Sequence, residues 1–267
     1  MARKIKIMGI INVTDDSYFE DSRCPDIGSV LRRAEKMLRE GADILDIGGC
    51  STRPGVECPD METEWERLEK PLVALRKEFP DTPVSVDTFH AGIISRAYDS
   101  IGKIIANDIS AGAADPEMLP VVGKLGLRYI AMHMKGDPQT MQTLCDYKDV
   151  TGEVKEYFHR LAPVLEKNGI HDYIIDPGFG FAKTIDQNYE LLHNLGQLKA
   201  LGHEILVGVS RKSMIYKLFN ITPQEALPAT QALHLEALIQ GADILRVHDV
   251  AQAVQCAAIY GKLYNGR

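Results

Sequence analysis

Eight short apolar runs recur along this chain, and nearly every one closes on a polar residue suited to chemistry. They span Ile5–Asn12, Ala42–Asp46, Val84–Asp87, Ile104–Asn107, Tyr129–His133, Tyr173–Asp176, Ile205–Ser210 and Ile244–His248. Each is too short for a core helix, rich in Ile and Val, and followed by an amphipathic stretch. Strands that alternate with helices predict a parallel sheet, and eight such units predict an α/β fold of the closed (β/α)8 TIM barrel type. In that barrel all C-terminal strand ends open on one mouth, where the active site lies. The polar run ends are therefore expected to converge there.

The 267 residues fit one barrel of roughly 250 residues. No Gly/Ser-rich or Pro-rich linker interrupts them, so residues 1–267 are read as a single domain. Gly41, Gly126, Gly169, Gly202 and Gly241 stand just before strands, as helix C-cap glycines should. Thr184 to Gln187 reads as a capping box, and Asp115-Pro116 and Thr222-Pro223 each read as an N-cap before a first-turn proline. The segment Gly41 to Leu45 is echoed by Gly241 to Leu245, most simply as a shared helix-to-strand turn. The segments after Asn12, Asp46 and His133 are long, and long loops in a compact domain are usually functional.

Several function classes are set aside at this level. A net charge of −7 is the wrong sign for a protein that neutralises nucleic-acid phosphates. No apolar run approaches the roughly 18 residues of a membrane span, and Met1 to Lys4 lead into the first strand without the pattern of a secretory signal. Five cysteines without a C-x-x-C pair predict free thiols in a reducing cytoplasm rather than a disulfide framework. Cys24, Cys50 and Cys58 do cluster in the first two strand-to-helix loops, but their spacing matches no zinc pattern. No G-x-S-x-G elbow or complete phosphate-binding loop is present.

The motifs at the predicted mouth suggest a polar, anion-tolerant site. Asp46 to Gly55 combines glycines, the hydroxyls of Ser51 and Thr52, and Arg53, whose fork suits phosphate oxygens. Gly208 to Ser213 ends the seventh run, where barrels often bind phosphate, and brings Lys212. Alternation places Arg246 and His248 on one side of the eighth, with Asp249 read as a helix cap. Asp87, Asn107 and Asp176 need partners once buried, either Arg246 and Lys212 or a ligand edge rich in N–H donors. Phe179 and Phe181 offer a stacking wall or packing beneath the loop. His133, between two methionines, reads as a buried structural imidazole.

Taken together these segments resemble the dihydropteroate synthase family of pterin-binding barrels. The resemblance rests on MGIINVTDDSY at 8–18, DIGGCSTRPG at 46–55, SVDT at 85–88, NDIS at 107–110, MHM at 132–134, DPGFGF at 176–181, GVSRKS at 208–213 and RVHDV at 246–250. They occur in order and cover the chain end to end. The resemblance implies condensation of 4-aminobenzoate with 6-hydroxymethyl-7,8-dihydropterin diphosphate, giving 7,8-dihydropteroate and pyrophosphate. It implies that Asp87, Asn107, Asp176 and Lys212 hold the pterin, with Asp46 and Gly208 also among the substrate-binding residues. Asn12, Thr52, Arg53 and His248 are then expected at the diphosphate, with Asn12 also on Mg²⁺, and Arg246 between pterin and diphosphate. Pro54, Phe181, Lys212 and Ser213 are expected to border the aminobenzoate, under a loop carrying Tyr18. Asp87, Lys212 and Arg246 are the residues expected to act in catalysis. A homodimer and sulfonamide competition are further expectations from the resemblance.

The chain departs from the family pattern at Asp15, at Phe19 to Arg23, at Cys50 and at Ala182. Whether Asp16, Glu20 or Asp21 joins the metal is open at this point. Two other readings share the pterin logic. A pterin-dependent methyltransferase has no need for the cradle of Arg53, Arg246 and His248, and a silent pterin-binding paralogue would bind without turnover. A generic phosphate-sugar barrel does not need the strand-end acids.

Overall fold

A computed structural model describes residues 4–13, 26–50, 59–137 and 139–264. Eight parallel strands close into a barrel in sequential order, β1 (Lys6–Asn12), β2 (Ile44–Gly48), β3 (Val84–Asp87), β4 (Ile105–Asp108), β5 (Arg128–Met132), β6 (Tyr173–Asp176), β7 (Glu204–Val207) and β8 (Ile244–Val247). The helices between them are α1 (Ile27–Glu40), α2 (Met61–Glu78), α3 (Ala91–Ile101), α4 (Met118–Leu125), α5 (Val150–Lys167), α6 (Ile185–His193), α7 (Ser213–Phe219), α8 (Leu227–Ile239) and α9 (Val250–Tyr264). Each predicted run lies on one of these strands, with boundaries moved by a residue or a few. Ser210 and His248 fall just beyond theirs.

Period-two alternation sorts the barrel interior into layers. At the N-terminal end Lys6 and Arg128 both pair with Glu204, and Arg128 also reaches Asp172 at 3.0 Å. Two residues further along the strands, Met8, Ile130, Ile174 and Leu206 join Ile44, Ile105 and Ile244 in a buried apolar cluster of their own. Two residues further again, Ile44 gives way to Asp46, Ile105 to Asn107, Ile174 to Asp176, Leu206 to Gly208 and Ile244 to Arg246. The outward faces of the strands pack in a second, larger apolar core against the helices. Every buried Ile or Leu there contributes roughly 1.5–3 kcal/mol before chain entropy is counted. The polar layer thus rests on a dry floor.

The echoed segments are one turn used twice. Gly41 and Gly241 take φ of 103° and 105°, the left-handed region that favours glycine. The aspartate two residues on then accepts from the backbone of the preceding strand beside it. Asp43 Oδ2 takes the Ile7 N–H and Asp243 Oδ2 the Ile205 N–H, both at 2.9 Å. The Thr184–Gln187 capping box is present, and all five predicted C-cap glycines have positive φ. Asp115 does not cap α4, which begins at Met118. Its carboxylate instead accepts the Glu117 N–H and the Ala91 N–H of α3. Thr222 and Pro223 open a 3-10 turn, Gln224–Ala226, that runs into α8.

The cysteine expectation needs correction. Cys145 and Cys256 are free, but Cys50 is disulfide-bonded. The spacing along the chain hides what the barrel does. β1 and β2 are neighbours, so the loops that follow them start side by side.

Candidate active site

Arg246 organises the centre of the mouth. Its Nε donates to Asp46 Oδ2 at 2.7 Å, and its Nη2 lies 2.6 Å from that oxygen and 2.5 Å from Asp87 Oδ2. Asn107 Nδ2 donates to Asp46 Oδ1 at 3.2 Å. Asp46 is fully buried, so it serves as the counter-ion under Arg246 rather than as an exposed contact. Burial works against the Arg246 charge, but Asp46 and Asp87 outweigh it and hold its pKa above the ordinary value. Burial, only partly offset by Arg246, pushes the Asp87 carboxyl up to about 7, with Asp46 and Asp108 adding to the rise.

Asp176 and Lys212 face this group from β6 and the β7–α7 loop. Asp176 is 8 % exposed and accepts the Gly178 N–H on Oδ1 at 2.8 Å. Among the described residues no hydrogen-bond donor occupies its other oxygen. Burial raises its pKa, against the pull of Lys212, the Gly178 N–H, Arg246 and Lys183. Burial lowers Lys212 to about 8, with Asp176 and Asp87 opposing the fall and Arg246 adding to it. The Lys212 ammonium donates to the Phe179 carbonyl and lies 4.8 Å from the centre of the Phe181 ring. Phe179 is fully buried packing and Phe181 is half-buried. A side chain at Gly208 would come within 3.9 Å of Arg246 and Lys212. Its absence keeps the floor open between them.

The rim is built by β1 and by the loops after β7 and β8. Asn12 ends β1 half-buried, and Ser213 opens α7 half-buried. The His248 N–H points to Ser210 Oγ at 3.3 Å, and its carbonyl accepts from Arg33. Burial, with repulsion from Arg33 and Arg246, lowers the His248 pKa to about 3, so its ring is neutral near pH 7. The Asp249 side chain is not a helix cap: it takes both prongs of Arg211, at 2.8 and 2.9 Å, and so ties the two loops together. Thr52, Arg53, Pro54, Asp15, Asp16, Tyr18, Phe19 to Arg23, Cys24 and Cys58 lie outside the described residues.

Residues 8–248 match the model of the family described as pterin binding enzyme. The chain belongs to the pterin-binding enzyme family. A dihydropteroate synthase of Synechocystis sp. is 40% identical over 265 residues, covering 98% of this chain and 91% of that protein. The dihydropteroate synthase of Yersinia pestis, solved with a sulfonamide drug, superposes with a TM-score of 0.93 at 35% identity, covering 100% of this chain and 99% of that one. That of Thermus thermophilus, solved with 4-aminobenzoate, gives 0.85 at 34% identity, covering 98% and 95%. Among these relatives the chain is a transferase of folate synthesis.

For a pterin-binding enzyme, three buried groups stand beside the predicted set. Asp108 is fully buried behind Asn107 and gathers Tyr129 Oη, Ser110 Oγ and the N–H groups of Ser110 and Gly112, all at 2.7–2.8 Å. Glu64, on α2, is fully buried, with His90 Nε2 3.8 Å from one oxygen, and burial, only partly offset by Thr88, pushes it up to about 7. Lys183 is buried within the β6–α6 loop. The first was visible as the acid of Asn-Asp-Ile-Ser; the other two carry no signal in their spacing.

Proposed function

We propose that this pterin-binding enzyme condenses 6-hydroxymethyl-7,8-dihydropterin diphosphate with 4-aminobenzoate. The observation that carries the reading is the polar layer of Asp46, Asp87, Asn107, Asp176, Lys212 and Arg246 set directly on an apolar barrel floor. A pterin edge presents N–H donors and a carbonyl. The open oxygen of Asp176 and the Asn107 amide suit the donors, and Lys212 suits the carbonyl. Arg246, pinned at Nε and Nη2, keeps Nη1 for the ring face or the diphosphate.

In the proposed reaction the C–O bond to diphosphate breaks and its electron pair leaves with the diphosphate. The amine lone pair then forms the new C–N bond, and one amine proton is lost. Asp87 is correctly signed to stabilise positive charge developing on the pterin. The aryl amine is already a nucleophile, so no strong base is required. A cation at about 4 Å and an effective dielectric near 20 contributes on the order of 4 kcal/mol to the leaving group before desolvation.

Formal charge limits which cations can do this. Asp46, Asp87 and Asp176 are matched by Lys183, Lys212 and Arg246, so the described mouth has little charge to spare. The diphosphate then requires cations beyond it, which supports Arg53 and Mg²⁺ as its partners. Mg²⁺ keeps waters and substrate phosphate oxygens in its shell, and the amide oxygen of Asn12 fits as a single protein ligand. Among the described residues no cluster of three metal-ligating side chains is present. Bound there, Mg²⁺ would neutralise departing charge. Pro54, Phe181, Lys212 and Ser213 would border the aminobenzoate, where sulfonamides would compete.

Two wider expectations accompany this reading. A cytoplasmic location is testable by fractionation. A homodimer is supported by exposed apolar side chains on α7, α8 and α9, including Phe219, Ile239, Ile259 and Leu263, and is testable by light scattering. The activity test is pyrophosphate release by purified protein. Release should require the pterin diphosphate, aminobenzoate and Mg²⁺ together. Tight pterin diphosphate binding without pteroate would instead establish the silent-binder reading.

A further inference from the structure

Lys183 has no place in the reaction above, yet it is among the most constrained side chains near the site. It is 4 % exposed, and its ammonium lies 3.0 Å from the Gly178 carbonyl, 3.0 Å from the Phe181 carbonyl and 3.1 Å from His133 Nδ1. An ammonium has three N–H donors, and all three are used. The third requires His133 to be neutral with Nδ1 as acceptor. Burial, reinforced by Lys183 and Lys135, lowers His133 to about 2, which meets that requirement.

This tripod knots the β6–α6 loop to the end of β5. His133 in turn donates its backbone N–H to the Asp176 carbonyl at 2.9 Å. The backbones approach so closely that a Cβ on Gly178 would stand 1.9 Å from the His133 carbonyl oxygen, and Gly178 takes φ of 73°. On the far side, Asn188 closes the loop by accepting the Gly180 N–H at 2.7 Å and donating to the Thr184 carbonyl at 2.6 Å. Two site groups depend on the loop so fixed. Gly178 places its N–H on Asp176, and the Phe179 carbonyl holds Lys212.

We propose that Lys183 is a positioning residue for pterin binding: its ammonium fixes the loop that presents Asp176 and Lys212, and its charge supports the Asp176 carboxylate. This rests on the pterin-binding reading above. The groups that act on Lys183 are Asp176 of β6, Lys212 of the β7–α7 loop, and His133, Lys135 and Cys145 of the β5–α5 segment. Burial lowers Lys183 to about 7, so on the acid side of neutrality it carries its proton. There it favours ionised Asp176, the form that accepts from the pterin. Loss of that charge raises the Asp176 pKa, and pterin binding must then fail at a higher pH.

The experiment is calorimetric titration of 6-hydroxymethylpterin, without diphosphate, between pH 5 and pH 8. Lys183→Gln retains hydrogen-bonding capacity without charge, and Lys183→Arg retains charge with a different shape. For Lys183→Gln the acid midpoint of pterin binding should lie at a higher pH than in wild type, while Lys183→Arg keeps the wild-type midpoint. An affinity loss equal at every pH in both variants would reduce Lys183 to a structural role, and unchanged binding in Lys183→Gln would overturn the inference outright. Thermal melts identify a variant that has not folded; the Lys183→Arg midpoint then decides alone, since a shifted midpoint despite retained charge contradicts the inference. Wild-type protein that binds no pterin would remove the function itself, a result distinct from all of these.

Discussion

At the scale of single residues, the mouth is governed by charges that are buried and paired. Arg246 is the clearest instance, because Asp46 beneath it is wholly buried. Removing one partner of such a pair leaves an uncompensated charge and costs about 3–5 kcal/mol. Arg246→Ala should therefore lower the unfolding free energy, read by denaturant titration, by that amount as well as abolish turnover. A variant that loses activity with unchanged stability would show that Asp46 is not its dependent. The titrations of Asp87 and Lys212 define a pH window. Asp87 is raised to about 7, so it is ionised above that value; Lys212 is lowered to about 8, so it is charged below that value. The pH profile of kcat/KM, which reports the free enzyme, should be a narrow bell between those limbs. A flat profile from pH 5 to pH 10 would contradict these roles. Ala182 has φ of 47°, which accounts for glycine being frequent there in the family pattern.

Among elements, strand-to-helix loops are fixed by backbone approaches that only glycine permits. Gly178 lies against the His133 carbonyl at the site, and Gly123 of α4 lies against the Asn168 carbonyl, which a Cβ would meet at 1.7 Å. Both alanine variants should be destabilised by several kcal/mol, but only Gly178→Ala should also weaken pterin binding in the fraction that folds. Calorimetry on both separates loop geometry from general packing. The elements themselves were legible in the sequence, because short Ile- and Val-rich runs and C-cap glycines are local signals. The polar ends of β2, β3, β4, β6 and β8 could likewise be read, since alternation decides which side chains enter the barrel. Partnerships were not legible. Asp249 with Arg211, Asp115 with Ala91, and Lys183 with His133 join residues far apart in sequence. The neutral ring of His248 was hidden for the same reason, because it depends first on burial and then on Arg33 and Arg246, all set by folding.

For the molecule as a whole, the buried acids set how stability responds to pH. Glu64 and Asp87 have folded-state pKa values near 7, above their ordinary 4.5 and 3.8. The folded protein thus binds these protons more tightly than the unfolded chain, and stability falls as pH rises from about 4 to about 7. Glu64→Gln should flatten part of that decline, read as the denaturant midpoint against pH. A decline as steep as wild type would show that Glu64 is solvated or paired in solution. The central claim is the division of the mouth into a pterin floor and a diphosphate rim, and calorimetry with two ligands tests it most directly. Asp176→Asn should weaken 6-hydroxymethylpterin and its diphosphate by a similar factor, whereas Arg53→Ala should weaken only the diphosphate. Equal losses of bare pterin affinity in both variants would contradict the division.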